Sequence, residues 1–404
     1  MKNLKKFISV LIIFSILLTS CAKIDEAEKE SPISNENNKK IVATWITYYE
    51  IKQLVEKSDN IIDFESMIYE KIQYLKKYSI NNIFIHVRAF DDCFYKSSVF
   101  PVSVYCSDDN GELKFDVLQV FINVCHSLDI KVHAWINPYR IRNDGNISKI
   151  HKKSYAYQFL EESSEKLIIS DSFIYYNPSC VEINSYILSG IREILDNYYV
   201  DGIHIDDYFY PTTNTDIDDS IYAEYIKSGG LLSIDDYRRE CVNSLVASIY
   251  SLVKSYNSDL VFSISPSGDI NKNYNELFAD VTHWMNSIGY VDYIIPQIYY
   301  GYNNENMPFE RVLNEWMSKN DKECIIIIGL GLYKSGKKDI YAGNGINEWL
   351  DSTNIIARQI KHCFDNNADG IAFYSFSNLL GLDENRTIAI ENENIIKQME
   401  LYVT

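Results

Sequence analysis

The stretch "VDGIHIDDYFYP", Val200 to Pro211, joins a short apolar strand to two adjacent acids and a cluster of aromatic residues. Successive side chains of a strand point to opposite faces. The two isoleucines therefore fit a face that is covered by helices, whereas His204 and Asp206 fit the opposite face, with Asp206 at the carboxyl end. We expect Asp207 to begin the following loop and to point away from this end or along its rim.

Seven other segments share this strand-like, apolar character. They are "IVATWITYYE" (41–50), "NNIFIHVRAF" (81–90), "KVHAWINPYR" (131–140), "LVFSISPSG" (260–268), "VDYIIPQIYYGY" (291–302), "CIIIIGLGLY" (324–333) and "ADGIAFYSFSNL" (368–379). Most lack a polar face, which is typical of buried parallel strands. Amphipathic segments with apolar residues three and four apart separate them, at 64–78, 115–128, 183–199, 235–256 and 354–367. This pattern predicts helices.

Eight strand–helix repeats predict a single (β/α)8 TIM barrel over residues 41–404. An open, doubly wound sheet is the alternative, but no glycine-rich phosphate turn follows the first strand. The longest insertions follow strands three and four, at Ile141–Ser179 and Thr212–Ser233. Both are predicted as loops at the carboxyl rim, where barrel enzymes build their active sites.

The first 40 residues resemble an export and anchoring segment. "MKNLKK" is basic, "FISVLIIFSILL" is apolar, and "LTSC" follows at Leu18–Cys21. This order predicts a bacterial lipoprotein signal peptide over residues 1–21, with lipid attached to Cys21. The polar segment Ala22–Lys40 then forms a flexible tether. We therefore expect an extracytoplasmic protein held at the membrane by its N-terminal lipid; an ordinary signal peptide or a single membrane anchor is the alternative.

The composition excludes some partners and cofactors. A formal net charge of −18 argues against binding to nucleic acid. The eight cysteines form no CxxC pair and show no Cys/His spacing, so we expect no bound metal and no cofactor. Cys93 and Cys106 are close enough in sequence to pair, but the sequence leaves this open.

Polar and aromatic side chains converge on the predicted barrel mouth. Inward alternation and position near strand ends select, as substrate-binding residues, Arg88, His133, Trp135, Asn137, Tyr139, Arg140, His204, Tyr208, Gln297, Tyr299 and Tyr374. Carboxylates and amides bind pairs of hydroxyl groups, and aromatic rings pack on the apolar faces of sugars. This combination predicts a site for a glycan.

Six motifs in chain order carry a resemblance to the glycosyl-hydrolase-like 10 family of bacterial extracellular proteins. They are "VRAFDDCFYKSSVFP", "KVHAWINPYR", "YYNPS", "VDGIHIDDYFYP", "SISPSG" and "DYIIPQIYYG". The resemblance covers about Ile41 to Leu380 and implies a (β/α)8 barrel that acts on glycans, with members linked to peptidoglycan. By motif match, the acidic and basic residues of the family fall on Arg88, Asp92, His133, Asp206 and Asp207.

The sequence thus predicts an enzyme that cleaves glycosidic bonds in a cell-wall or related polysaccharide. Either a peptidoglycan hydrolase or a lytic transglycosylase would use carboxylates for acid–base catalysis. The predicted catalytic pair is Asp206 and Asp92, with Asp207 as the alternate.

Two alternatives remain open at this point. One is a non-catalytic glycan-binding lipoprotein, because strands four to seven carry no glutamate at the rim. The less favoured one is a metal-dependent polysaccharide deacetylase. It would draw its ligands from His133, His204, Asp206 and Asp207, which lack a tight metal spacing.

Overall fold

The computed structural model describes residues 40–160, 165–321, 324–382 and 385–403. Within these ranges, eight parallel strands form a closed barrel in which each strand pairs with its neighbours in the chain and the first pairs with the last. We number them one to eight: Ile41–Ile46, Asn82–Arg88, Lys131–Ile136, Gly202–Ile205, Val261–Ile264, Tyr293–Ile294, Ile325–Leu330 and Gly370–Phe373. The predicted (β/α)8 architecture is confirmed.

Helices lie between the strands and after the last one. They are Tyr48–Glu56, Ile61–Leu75, Val117–Ser127, Val181–Asn197, Asp219–Lys227, Ile234–Tyr256, Ile270–Asn275, Val281–Met285, Phe309–Lys319, Glu348–Asp351, Ile355–Asp365, Phe376–Leu379 and Arg386–Met399. All five amphipathic segments identified in the sequence form helices. Among the described residues, no helix combines the length and the apolar character needed to span a bilayer.

The alternation within strand four is as the sequence predicts. Ile203 and Ile205 pack in the large apolar cluster that contains the helix side chains. His204 is fully buried on the other face, where its ring packs against Phe84 and Trp45. Phe84 and Trp45 belong to a separate, smaller cluster that fills the barrel interior. The polar side chains further along the strands therefore stand above an apolar floor.

Aspartates at the amino ends of three strands have a structural role. Asp201, Asp292 and Asp369 each accept a hydrogen bond from the backbone N–H of the second residue of the preceding strand, at 2.8, 2.7 and 2.9 Å. Gly202 follows the first of them because a Cβ there would lie 2.5 Å from Nδ1 of His133. The "VDG" that opens the stretch therefore sets strand register. The candidate catalytic residues, Asp206 and Asp207, lie near the other end of the stretch.

The insertion after strand three is more ordered than predicted. Instead of a loop, it contains a three-stranded antiparallel sheet, in the order Arg140–Arg142, Ile174–Tyr176, Leu167–Ile169. Short strands of this kind lack the long periodic pattern that reveals the barrel strands. The insertion after strand four contains the helix Asp219–Lys227, which the sequence analysis also assigned to a loop.

The cysteines of the described residues are all unpaired thiols. The possible pair is not formed: the Sγ atoms of Cys93 and Cys106 are instead directed to backbone carbonyls, at 3.3 Å from Tyr95 O and 3.6 Å from Cys93 O. Burial raises the pKa of both thiols above the usual range. These two residues therefore act as small core residues.

Candidate active site

A cavity of about 340 Å³ opens at the carboxyl ends of the barrel strands. This volume is near the lower end of the range for small-ligand sites, about 300–1,000 Å³. Eight residues predicted from the sequence line it: Trp135, Arg140, Asp206, Asp207, Tyr208, Gln297, Tyr299 and Tyr374. The cavity combines two carboxylates with aromatic rings and an amide, which is the composition expected of a sugar site.

Asp206 is held at the base of this cavity with one oxygen bound and the other free. Its side chain is 2% exposed. Oδ2 accepts hydrogen bonds from Trp135 Nε1 at 3.1 Å and Asn137 Nδ2 at 3.4 Å. Oδ1 is buried and has no partner among the described residues. Burial raises the pKa of Asp206 to about 7, although Arg140 lowers it; the charge of Asp207 adds to the rise.

Asp207 also lines the cavity, which corrects the expectation that it points away or along the rim. Strand four ends at Ile205, so the two-residue alternation no longer decides the direction of a side chain two positions later. Burial raises the pKa of Asp207, and a hydrogen bond from the Gln297 side chain opposes this rise. Two carboxyl groups with raised pKa values therefore share one cavity.

Arg140 provides the positive charge near these acids. Its guanidinium lies over the Tyr208 ring, 4.1 Å from the centroid, and its Nε donates to Ala89 O at 3.1 Å. Only 7% of the residue is exposed. These contacts fix the guanidinium, which stabilises the ionised form of Asp206.

The alternation of strands two and five also directs His86 and Ser265 to the barrel mouth, and both line the cavity. Other lining residues were not selected from the sequence. Strand one and the turn after it contribute Trp45, Thr47, Tyr48 and Tyr49. The inward alternation of strand one would have identified the first two. The insertion sheet adds Asn143, Ser172, Phe173 and Tyr175. No sequence signal pointed to these four, because their positions depend on how the insertion folds.

Two predicted histidines lie deeper in the barrel than the cavity. His204 accepts from Trp45 Nε1 at 3.0 Å on its Nε2, so its other nitrogen carries the proton and donates to Ser263 Oγ at 2.8 Å. His133 Nε2 contacts Asn82 Oδ1 at 2.9 Å. Burial lowers the pKa of His133 to about 4 and that of His204 well below its usual value. Both are neutral packing residues because they lie one or more layers below the mouth.

Three further predicted residues do not line the cavity, and two of them support residues at its base. Asn137 donates to Asp206 as described. Arg88 is 1% exposed and donates to the carbonyls of Asn137 and Pro138 and to Asp91. Tyr139 is directed outward, and its hydroxyl donates to Asn184 Oδ1 at 3.2 Å. Tyr139 follows the end of strand three, where the inward alternation has stopped.

Asp92, predicted as the partner of Asp206, lies in a different place. It lines a side cavity of about 100 Å³ together with Asp91, Tyr105 and Arg142, among others. Asp92 Oδ1 is buried without a partner in the described part of the chain. Burial raises its pKa to about 7, opposed by a hydrogen bond from Ser103. Because the cavity at the strand ends is lined by Asp206 and Asp207, the acids that share one space are these two, rather than Asp206 and Asp92.

The geometry does not assemble the ligands of the metal-dependent alternative. In the ranges that the structure describes, no three His, Cys, Asp or Glu side chains are grouped as a metal site requires. His133 and His204 are bound to other side chains, as given above. A deacetylase would need these histidines at the mouth beside the two acids.

The fold and the cavity define a (β/α)8 barrel with an acidic, aromatic-lined ligand site at the carboxyl ends of its strands. The chain belongs to the glycosyl hydrolase-like 10 family, whose pattern matches residues 40–342. This membership confirms the resemblance seen in the motifs and supports a carbohydrate-active function.

Two relatives illustrate the similarity in sequence. The glycosyl hydrolase YngK of Bacillus subtilis is 28% identical over 321 residues, which are 74% of this chain and 62% of that protein. The glycosyl hydrolase DigH of Escherichia coli K12 is 28% identical over 294 residues, 66% of each chain. The chain thus spans a little under two thirds of the length of these relatives.

Solved structures support the fold. The glycoside hydrolase domain of PgaB (BpsB) from Bordetella bronchiseptica aligns with a TM-score of 0.55 at 10% identity, covering 87% of this chain and 98% of that one. The endo-1,4-beta-mannanase of Rhizomucor miehei aligns with a TM-score of 0.54 at 14% identity, covering 90% and 95%. At these identities the likeness concerns the barrel alone.

Proposed function

We propose that this protein is a glycoside hydrolase that cleaves a cell-wall polysaccharide, with peptidoglycan as the first candidate. One observation carries the proposal: Asp206 is buried at the base of an aromatic-lined cavity, with one oxygen held by two donors and the other unpartnered. A carboxyl group with a pKa of about 7 is protonated often enough near neutral pH to act as a general acid.

The proposed reaction uses the two strand-four acids in different protonation states. Protonated Asp206 gives its proton to the glycosidic oxygen as the bond from that oxygen to the anomeric carbon breaks. The anomeric carbon then carries the positive charge of an oxocarbenium-like transition state. Ionised Asp207 stabilises that charge, and a water molecule adds its oxygen to the carbon and loses a proton to a carboxylate. Trp135 and Asn137 hold Asp206 in place throughout.

The aromatic lining favours a sugar over other ligands with hydroxyl groups. Trp45, Trp135, Tyr299 and Tyr374 present ring surfaces to the same cavity as Gln297. Rings of this kind pack against the C–H faces of a pyranose, and the amide reaches its hydroxyl groups. The family membership supports the same substrate class.

The test is digestion of purified peptidoglycan and a panel of glucans, with mass spectrometry of the products. New reducing ends would support a hydrolase. Anhydro-muramic ends would instead indicate a lytic transglycosylase, in which a hydroxyl of the substrate displaces the leaving group. Binding of a glycan without any cleavage would favour the non-catalytic glycan-binding protein.

We further propose that the protein is a bacterial lipoprotein held outside the cytoplasm by lipid on Cys21. The proposal rests on the sequence of residues 1–40 alone, because residues 1–39 lie outside the described ranges. The change Cys21→Ala should move the protein from the membrane fraction to the soluble fraction. A variant that stays with the membrane after a carbonate wash would contradict lipid attachment at this residue.

A further inference from the structure

Two buried polar atoms of the main cavity lack a partner among the described residues, and they complement each other. One is Oδ1 of Asp206, discussed above; the other is Nε2 of His86. Both residues line the same cavity, and His86 is 3% exposed. A buried polar group without a hydrogen bond is energetically unfavourable. An unpaired group that lines a ligand cavity is therefore a position where a ligand atom is expected.

The protonation of His86 follows from its other nitrogen. Nδ1 lies 3.3 Å from the backbone nitrogen of Tyr48, which can only donate. Tyr48 is the first residue of the helix Tyr48–Glu56, so this N–H has no partner within its helix. Nδ1 must therefore accept, and the proton of the neutral ring is on Nε2. Burial, with Arg140 and His204 nearby, lowers the pKa of His86 well below its usual value, so the ring stays neutral.

Trp135 connects this donor to the catalytic acid. The rings of His86 and Trp135 are stacked, with centroids 3.2 Å apart and planes inclined by 15°. The same indole donates from Nε1 to Asp206 Oδ2 at 3.1 Å. The rigid indole of Trp135 thus sets the positions of both His86 and Asp206. This coupling is expected where two contacts must act on one sugar.

We propose that His86 is a substrate-positioning residue, whose Nε2–H donates to an oxygen of the sugar whose glycosidic oxygen receives the proton of Asp206. The inference rests on the proposed function, because it assumes a sugar in the main cavity. An N–H donor at this position selects ligands with an acceptor oxygen, either a ring hydroxyl or the carbonyl of an N-acetyl group. His86 takes no proton in the reaction, because its ring remains neutral.

The chain allows a matched pair of variants at this position. In His86→Asn, the side-chain oxygen can still accept from the Tyr48 N–H, but no atom reaches the place of Nε2. In His86→Gln, the longer side chain brings an amide N–H to that place. The first variant should weaken oligosaccharide binding, and lower kcat/KM, by roughly two- to tenfold, as expected for one lost hydrogen bond. The second should restore most of the loss.

Binding is best measured by calorimetry in the Asp206→Asn background, where turnover does not consume the ligand, with melting temperature as the folding control. Comparing N-acetylated and unsubstituted oligosaccharides of equal length identifies the acceptor. A loss confined to the N-acetylated series indicates the acetyl carbonyl, and an equal loss in both indicates a hydroxyl. The pH profile of kcat/KM should keep its shape in His86→Asn, because a neutral donor does not titrate.

The outcomes separate this inference from the proposed function. The inference is wrong, and His86 is structural, if the wild type cleaves glycan and both His86 variants bind the oligosaccharide as tightly as the protein with His86. If nothing is cleaved but His86→Asn still weakens binding and His86→Gln restores it, the inference stands and the hydrolase does not. If the acidic limb of the pH profile disappears in His86→Asn, the residue exchanges a proton and the neutral-donor role is overturned. If the protein neither cleaves nor binds glycan, both the proposed function and the role of His86 are contradicted.

Discussion

An Asp-Asp dipeptide follows two of the barrel strands, and the two copies have different surroundings in the structure. Strand two is followed by Asp91 and Asp92, and strand four by Asp206 and Asp207. In the first pair, Asp91 is surrounded by donors: Arg88, Ser154, Tyr176 and Tyr186 all bond to it. In the second pair, Asp206 has donors on one oxygen only.

The difference shows that the donors around an acid decide its role, more than its place at a strand end. An arginine and three hydroxyl groups use the acceptor sites of Asp91. This residue therefore ties together the loops after strands two and three. The side chains of Trp135 and Asn137 both donate to one oxygen of Asp206, its other oxygen is buried without a side-chain partner among the described residues, and burial raises its pKa, which leaves the protonated form accessible. Only the second arrangement suits acid catalysis.

The largest expected effect comes from removing the acid of the strand-four pair. The change Asp206→Asn keeps the shape and the contact with Trp135 but removes the exchangeable proton. We expect a loss of about 10²–10⁴ in kcat, the usual contribution of general acid catalysis. The measurement is product release from the best glycan substrate, with melting temperature as the control for folding. The matched variant is Asp92→Asn, which should cleave at close to the wild-type rate.

A reversed order of these two variants would contradict the assignment. If Asp92→Asn abolished cleavage while Asp206→Asn retained it, the pair near strand two would be the catalytic one. Equal losses of cleavage rate in the two variants would indicate that residues of both cavities contact one substrate.

The second prediction concerns stability rather than rate. The change Asp91→Asn leaves the guanidinium of Arg88, 1% exposed, without its charged partner. Removing one member of a buried ion pair typically costs about 3–5 kcal/mol of unfolding free energy. We expect the melting temperature to fall by several degrees, whereas the corresponding change Asp92→Asn should not lower it. Unfolding of both variants by urea checks this, and an unchanged midpoint for Asp91→Asn would contradict a structural role.

The sequence was a good guide to everything that depends on strand alternation. The eight strands, the inward direction of Asp206 and the cavity-lining positions of Trp135 and Gln297 all follow from a period of two along buried strands. The errors lie two or more residues past the paired strands. Asp207 is two residues after Ile205 and Tyr139 is three after Ile136, so their directions depend on loop conformation. Gln297 also follows its strand, but it keeps bridge pairs to Ser267 and Gly329.

Asp92, predicted as the second catalytic acid, lines a side cavity instead of the main one for a related reason. The motif match placed an acid after strand two, but the sequence could not show which cavity it would enter. The path of the chain there depends on long-range contacts such as the bond from Tyr186 to Asp91, 95 residues apart. Likewise, Phe173 and Tyr175 reach the main cavity only because the insertion folds into a sheet. Short-range patterns carry no information on either point.

The third prediction uses the pH dependence of the reaction. In the proposed mechanism Asp206 acts in its protonated form, so kcat/KM should fall as the pH rises through about 7. Arg140 stabilises the ionised carboxylate and therefore lowers this pKa. Replacing it by Gln should move the alkaline limb to higher pH, whereas Arg140→Lys should leave the limb near its wild-type position. An alkaline limb at the same pH in Arg140→Gln would show that another group controls it.

The fourth prediction concerns the pH dependence of stability, in which Asp92 and Asp206 resemble each other. Burial raises the pKa of both Asp92 and Asp206 from 3.8 to about 7. Between these values the folded state binds a proton that the unfolded state has released. The unfolding free energy therefore falls as the pH rises from about 4 to about 7, by at most about 1.4 kcal/mol per pH unit for each group.

Each of the variants Asp92→Asn and Asp206→Asn should remove one such contribution, giving a flatter plot of melting temperature against pH over this interval. The two variants should thus be alike in thermal denaturation and opposite in catalysis. A flatter plot for Asp206→Asn alone would mean that solvent reaches Asp92 and that its pKa is ordinary. A difference in stability that matched the difference in rate would mean that the loss of activity in Asp206→Asn reflects folding. Because both acids are tested by the same isosteric change, the comparison isolates the donors and the cavity around each of them.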